Sequence, residues 1–120
     1  MKIRINNSAY SVELFNTPTA KAISAKLPLS GNANVWGNEI YFSIPVKCEL
    51  EPDAKDILEV GDLTYYPPLQ AICIFFGPTP MSTDEKPVAA GAVNIFGKII
   101  CETEALQMVK QGDKVEILSD

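Results

Sequence analysis

The 120 residues carry ten lysines and arginines against fifteen aspartates and glutamates, a net charge of −5, with 47% hydrophobic residues and no histidine. That length suits one domain, residues 1–120, with enough apolar material for a core. The acidic balance, the lone arginine Arg4 and the lack of a basic cluster argue against nucleic acid or an anionic membrane as partner, and no apolar run reaches the roughly 18 residues that span a bilayer.

Residues 2–6 and 9–15 predict a hairpin. Ile3 and Ile5 alternate with Lys2, Arg4 and Asn6, and Val12 and Leu14 alternate with Ser11 and Glu13 across the Asn7-Ser8 turn. This opening is a strand pattern and not a leader peptide, so the expected compartment is the cytoplasm. Thr17-Pro18 predicts a helix start, with a capping hydroxyl before a proline at the first helical position. Ala20, Ile23 and Leu27 give that helix its apolar stripe, and Pro28 ends it.

Three strand-like runs follow. They are 39–44, then 46–51 with Val46, Cys48 and Leu50 alternating, then 63–66 after an acidic loop. Ala71 to Phe76 is apolar throughout, which fits a strand buried on both faces. Residues 77–91 form the longest irregular stretch. Val93 to Ile100 predicts a strand with a bulge at Gly97. Thr103 through Lys110 predicts a second short helix with Gly112 near its end, and Val115 and Ile117 predict a last strand.

Cys48, Cys73 and Cys101 are odd in number and widely spaced, which fits reduced thiols better than a disulfide framework. Without histidine the chain lacks Ser-His-Asp and Cys-His nucleophile systems and most zinc patterns. No metal site and no cofactor is expected. Glu39 and Asp62 stand apart from the loop carboxylates, because each opens a strand. Asp62 is expected to satisfy turn backbone groups.

Three segments together resemble a prokaryotic cyclophilin-like family: Val35-Trp36-Gly37-Asn38-Glu39-Ile40-Tyr41-Phe42, Gly61-Asp62-Leu63-Thr64-Tyr65-Tyr66-Pro67, and Ala71 through Phe76 with Gly77-Pro78-Thr79-Pro80. The resemblance implies a mostly-β fold, a closed barrel of about eight strands with two short helices. Cyclophilins isomerise X–Pro bonds by donating from an arginine to the proline nitrogen, which favours the twisted amide. The segment comparable to their arginine-bearing strand is Tyr41-Phe42-Ser43-Ile44-Pro45, which holds no arginine.

Trp36, Tyr41, Tyr65, Tyr66 and Phe75, rimmed by Thr79, are the candidate ligand-binding residues. Tyrosine and tryptophan join apolar area to a polar handle, as a groove for a peptide or small molecule needs. The expected function is therefore a binding module with little or no isomerase activity. A prolyl isomerase with another donor is the second reading. An assembly subunit using the 71–76 strand and the 77–91 loop as a partner surface is the third. The sequence names no ligand and no oligomeric state.

Overall fold

In a computed structural model that describes residues 1–120, most of these alternations become strands. β1 (Lys2–Ile5) and β2 (Ser8–Leu14) form the expected antiparallel hairpin, with Ile5 opposite Ser8. Asn6 makes its turn at φ 55°, a left-handed conformation that asparagine tolerates. α1 (Pro18–Ser24) begins as its sequence predicts: Thr17 Oγ1 accepts from the Ala20 N–H at 3.0 Å. It stops at Ser24, short of Pro28, and buries Ala20 and Ile23.

The other strands are β3 (Leu29–Asn32), β4 (Asn34–Val35), β5 (Glu39–Ser43), β6 (Lys55–Ile57), β7 (Asp62–Tyr66), β8 (Ala71–Phe75), β9 (Val88–Ile100) and β10 (Lys114–Leu118). The ladder runs β3-β10-β1-β2-β9-β7-β8-β5-β4, with β6 paired to β9. The expected closed barrel of about eight strands is corrected here: ten strands form an open path. The path ends on β3 and β4, which pair with β10 and β5 and not with each other. Ala33 separates them. Its N–H donates to the Asp113 carbonyl at 2.7 Å and its carbonyl accepts from Gly112 at 2.8 Å. The two edges of the sheet therefore meet through the chain and not through a ladder.

β3 and β4 lack the strand formers that would announce them, since Ser30, Gly31, Asn32 and Asn34 are small or polar. Gly31 lies so close to Phe42 that a Cβ would stand 2.9 Å from its ring. The opposite error occurs at 46–51, where alternation predicts a strand and none forms. Side chains take its backbone groups instead. Tyr65 Oη donates to the Val46 carbonyl at 2.7 Å and accepts from the Cys48 N–H at 3.1 Å. Asn94 accepts from the Glu51 N–H at 2.8 Å and donates to the Glu49 carbonyl at 2.9 Å. Thr19, at the start of α1, joins this network: its hydroxyl donates to the Glu51 carboxylate and accepts from the Asn94 side-chain amide at 3.0 Å.

The irregular stretch ends at Pro87, because β9 begins at Val88 and runs 13 residues. Its first half pairs with β6, and its second half joins β7 and β2. The bulge falls as expected, where the β7–β9 register shifts between Leu63 and Thr64. A Cβ on Gly97 would stand 2.8 Å from the Glu13 carbonyl, so only glycine lets β2 approach this closely. The second helix is a 3₁₀ turn over Thr103–Met108 with no side-chain cap. Gly112, at φ 93°, serves the turn into β10 instead.

Two apolar clusters result. The larger gathers Ile3, Ile23, Ile40, Phe42, Leu63, Tyr65, Ile72, Ile74 and Phe96 among its members. The smaller gathers Leu58, Ala71, Cys73, Phe75, Ala89 and Val93 on the other side of β8. β8 is thus buried on both faces, as its unbroken apolar run predicts. That burial also removes residues 71–75 as a partner surface. No helix is long and apolar enough to cross a membrane.

Candidate ligand-binding site

The site follows from strand parity. Along β5, Ile40 and Phe42 enter the larger cluster, so Glu39 and Tyr41 face the other way. Along β7, Leu63 and Tyr65 point inward, and Tyr66 points outward. Along β8, Ile72 and Ile74 point inward, and Cys73 and Phe75 point outward. Tyr41 pairs with Cys73 and Glu39 with Phe75 in the β5–β8 register, so these four side chains share one face.

That outer face is partly covered by Leu58 and the first half of β9, which pack with Cys73 and Phe75. The uncovered part is a cavity of about 290 Å³, lined by Trp36, Glu39, Tyr41, Tyr66, Leu69, Cys73, Ala89, Ala90 and Val93. Its size is at the lower end of small-ligand pockets, about 300 Å³ and upward. Eight of the nine lining residues are hydrophobic. Glu39 is the exception, at 6% exposure.

The Trp36-Gly37-Asn38-Glu39 turn sets two of these walls. The Trp36 N–H donates to the Glu39 carbonyl at 2.9 Å, and the Glu39 N–H donates to the Trp36 carbonyl at 3.1 Å. This leaves Gly37-Asn38 as a two-residue hairpin loop with positive φ at the glycine. A Cβ there would lie 2.8 Å from Pro80, so glycine also lets the 77–80 loop pack against the turn. On the opposite wall Gly91 lies against the Tyr66 ring, where a Cβ would stand 3.3 Å from Cε1.

Burial in this apolar wall pushes the Glu39 carboxyl up from 4.5 to about 7, while a hydrogen bond with the Cys73 thiol pulls the other way. The Cys73 thiol is itself raised well above its ordinary value, first by burial and then by the neighbouring Glu39. The cavity therefore holds a carboxyl that is divided between its two protonation states near neutral pH. No three cysteine, aspartate or glutamate side chains gather as a metal site requires.

Three of the six candidate residues converge: Trp36, Tyr41 and Tyr66 line the cavity. The other three do not. Tyr65 is fully buried on the opposite face, holding the 46–48 segment through its hydroxyl. Phe75 shares the cavity's face but is fully buried in the smaller cluster. Thr79 fastens its loop, donating to the Val88 carbonyl at 2.5 Å and accepting from the Met81 N–H at 3.2 Å. Cys73, Leu69 and the Ala89, Ala90 and Val93 wall were not among the candidates. Parity along β8 points to Cys73, whereas nothing local in the sequence points to the β9 wall. Asp62 behaves as a turn residue, accepting from the Glu59 N–H at 2.8 Å.

A family pattern described as Cyclophilin-like matches residues 1–118, and the chain belongs to that family. The solution structure of the hypothetical protein AF2241 from Archaeoglobus fulgidus has a TM-score of 0.82 and 40% identity, the match covering 99% of this chain and 92% of that one. McbB, solved in complex with tryptophan, has a TM-score of 0.71 at 18% identity, a likeness of fold alone. That match covers 99% of this chain and 46% of McbB, so the chain spans less than half of McbB's length. No curated protein matches.

Proposed function

We propose that this chain is a binding module that holds a small ring-bearing molecule, or a peptide side chain of that size, in the Trp36–Tyr41–Tyr66 cavity. The observation that carries this reading is the cavity itself, lined by three half-buried aromatic residues. Aromatic walls bind apolar rings through area and stacking. The fold's occurrence in McbB, a protein solved with tryptophan, is in keeping with a flat ligand, although fold alone assigns no function.

Prolyl isomerisation has no support from the residues around the cavity. Arg4 is exposed on β1, which β2, β9 and β7 separate from β8 in the sheet order. No lysine or arginine lines the cavity. The module accordingly binds without accelerating X–Pro exchange.

Trp36 is the sole tryptophan, so its fluorescence reports occupancy without a label. Titration with cyclohexanemethanol, a transparent ring alcohol, should give a saturable change with a Kd of about 1 mM, as expected for so few atoms. Tyr66→Ala and Tyr41→Ala should abolish the response while the fold persists by circular dichroism. A response that is absent, or that both variants retain, overturns the cavity as the site. New exchange peaks in NMR spectra of X–Pro peptides, scaling with protein concentration, overturn the non-catalytic half.

A further inference from the structure

We infer that the cavity is a site for an ammonium group, and that its ligand is a small amine carrying an apolar ring, with the nitrogen against the Glu39 carboxyl. This rests on the reading of the cavity as a ligand site and specifies its chemistry. Glu39 is the only charged residue in the lining, and it stands among Trp36, Tyr41 and Tyr66. Three aromatic rings with one carboxylate form the surroundings that a cation prefers, since the ring faces are negative and the carboxylate supplies the countercharge. An anionic ligand would meet a carboxylate and no basic side chain. A neutral ligand would leave the buried carboxyl as costly as it is without a ligand.

The titratable groups that face Glu39 are Tyr41 on its own strand, Cys73 on β8 and Tyr66 on β7. The β9 wall contributes only Ala89, Ala90 and Val93. No basic group therefore competes for the carboxylate. An arriving ammonium ion must find Glu39 ionised, and in the empty cavity Glu39 ionises at about 7. Binding of the cation should release a proton below that pH. Affinity for a permanent cation should fall about tenfold between pH 8 and pH 6, by the ionised fraction of such a carboxyl.

Three probes built on one cyclohexylmethyl group test this by Trp36 fluorescence: cyclohexylmethylamine, its N,N,N-trimethyl analogue and cyclohexanemethanol. At pH 8 both cations should bind at least about tenfold more tightly than the alcohol, through cation–π and Coulomb attraction, and both should weaken about tenfold at pH 6. The trimethyl probe cannot titrate, so its weakening assigns the proton to the protein. Glu39→Gln should erase both the cation preference and the pH slope, the variant's own affinity for the alcohol serving as its reference. An N-acetylated, lysine-bearing tripeptide that binds as tightly as the free amine would place the ammonium on a protein side chain and overturn the small-amine assignment. A weakly bound tripeptide is the expected result and supports the free small amine. Alcohol binding with no preference for the cations overturns the ammonium inference and leaves the cavity reading standing. A cation preference that survives in Glu39→Gln also overturns the inference. Failure of all three probes overturns the cavity reading itself.

Discussion

The two faces of the β5–β8–β7 sheet use the same backbone for opposite ends. The inner face carries Ile40, Phe42, Leu63, Tyr65, Ile72 and Ile74, none more than 1% exposed. The outer face carries Glu39, Tyr41, Cys73, Phe75 and Tyr66, covered along only part of its length. On the inner face the curled sheet and α1 fill all the space, so side chains there are chosen by volume and shape. On the outer face Leu58, Ala89 and Val93 pack over Phe75, while Tyr41 and Tyr66 are left half-buried beside a cavity with a desolvated carboxyl. Tyr65 and Tyr66 are adjacent in the chain, yet one serves packing and the other the site.

The largest test of this contrast is truncation on each face. Phe42→Ala should lower stability by about 3–5 kcal/mol through lost burial and the void it leaves. Trp36→Ala, half-buried at the cavity, should cost about 1 kcal/mol or less. Urea midpoints measure both, and similar midpoints would mean that the outer face is also core.

The next effect is a pH dependence that belongs to the outer face alone. Unfolded, the Glu39 carboxyl ionises near its ordinary 4.5, and folded it ionises at about 7. Between these values the folded state binds the extra proton. Stability should therefore fall as pH rises through the window, by about 3 kcal/mol in all, and stay at the lower level above it. Glu39→Gln should remove this slope, making the variant more stable than the parent at pH 8 and no more stable at about pH 4. Parallel profiles for the two proteins would show that the carboxyl is not desolvated.

Loss of a hydroxyl should separate the two tyrosines. Tyr65→Phe leaves the Val46 carbonyl and the Cys48 N–H without their partner, and should cost about 1–3 kcal/mol with probe binding intact. Tyr66→Phe should change stability by about 0.5 kcal/mol or less. Equal losses in thermal melts would erase the distinction between the faces.

The smallest effect concerns the loop that leads into β9. Lys86 and Glu59 pair at 3.1 Å, with both side chains more than half exposed. Lys86→Ala should cost less than about 0.5 kcal/mol in a urea titration. Thr79 and Ser82 hold this loop instead, through the Val88 and Lys86 carbonyls. A larger loss would make the ion pair a support of the cavity's β9 wall.

Period-two alternation in the sequence was enough to place β1, β2, β5 and β10, and Thr17-Pro18 was enough to start α1, because each signal lies within a few residues of its effect. The six apolar residues of 71–76 announced a strand covered on both sides. Residue type made Trp36, Tyr41 and Tyr66 legible as candidate walls, although it also grouped them with Tyr65, which strand parity along β7 places on the opposite face. Tertiary structure alone decided the rest. Whether 46–51 paired as a strand depended on Tyr65 and Asn94 capturing its backbone from 17 and 43 residues away. Whether Phe75 lined the cavity or lay sealed depended on Leu58, Ala89 and Val93 packing over it. The Glu39 shift arises from removal of water by residues up to 54 positions distant in the chain, from Glu39 to Val93, and desolvation has no local sequence signal.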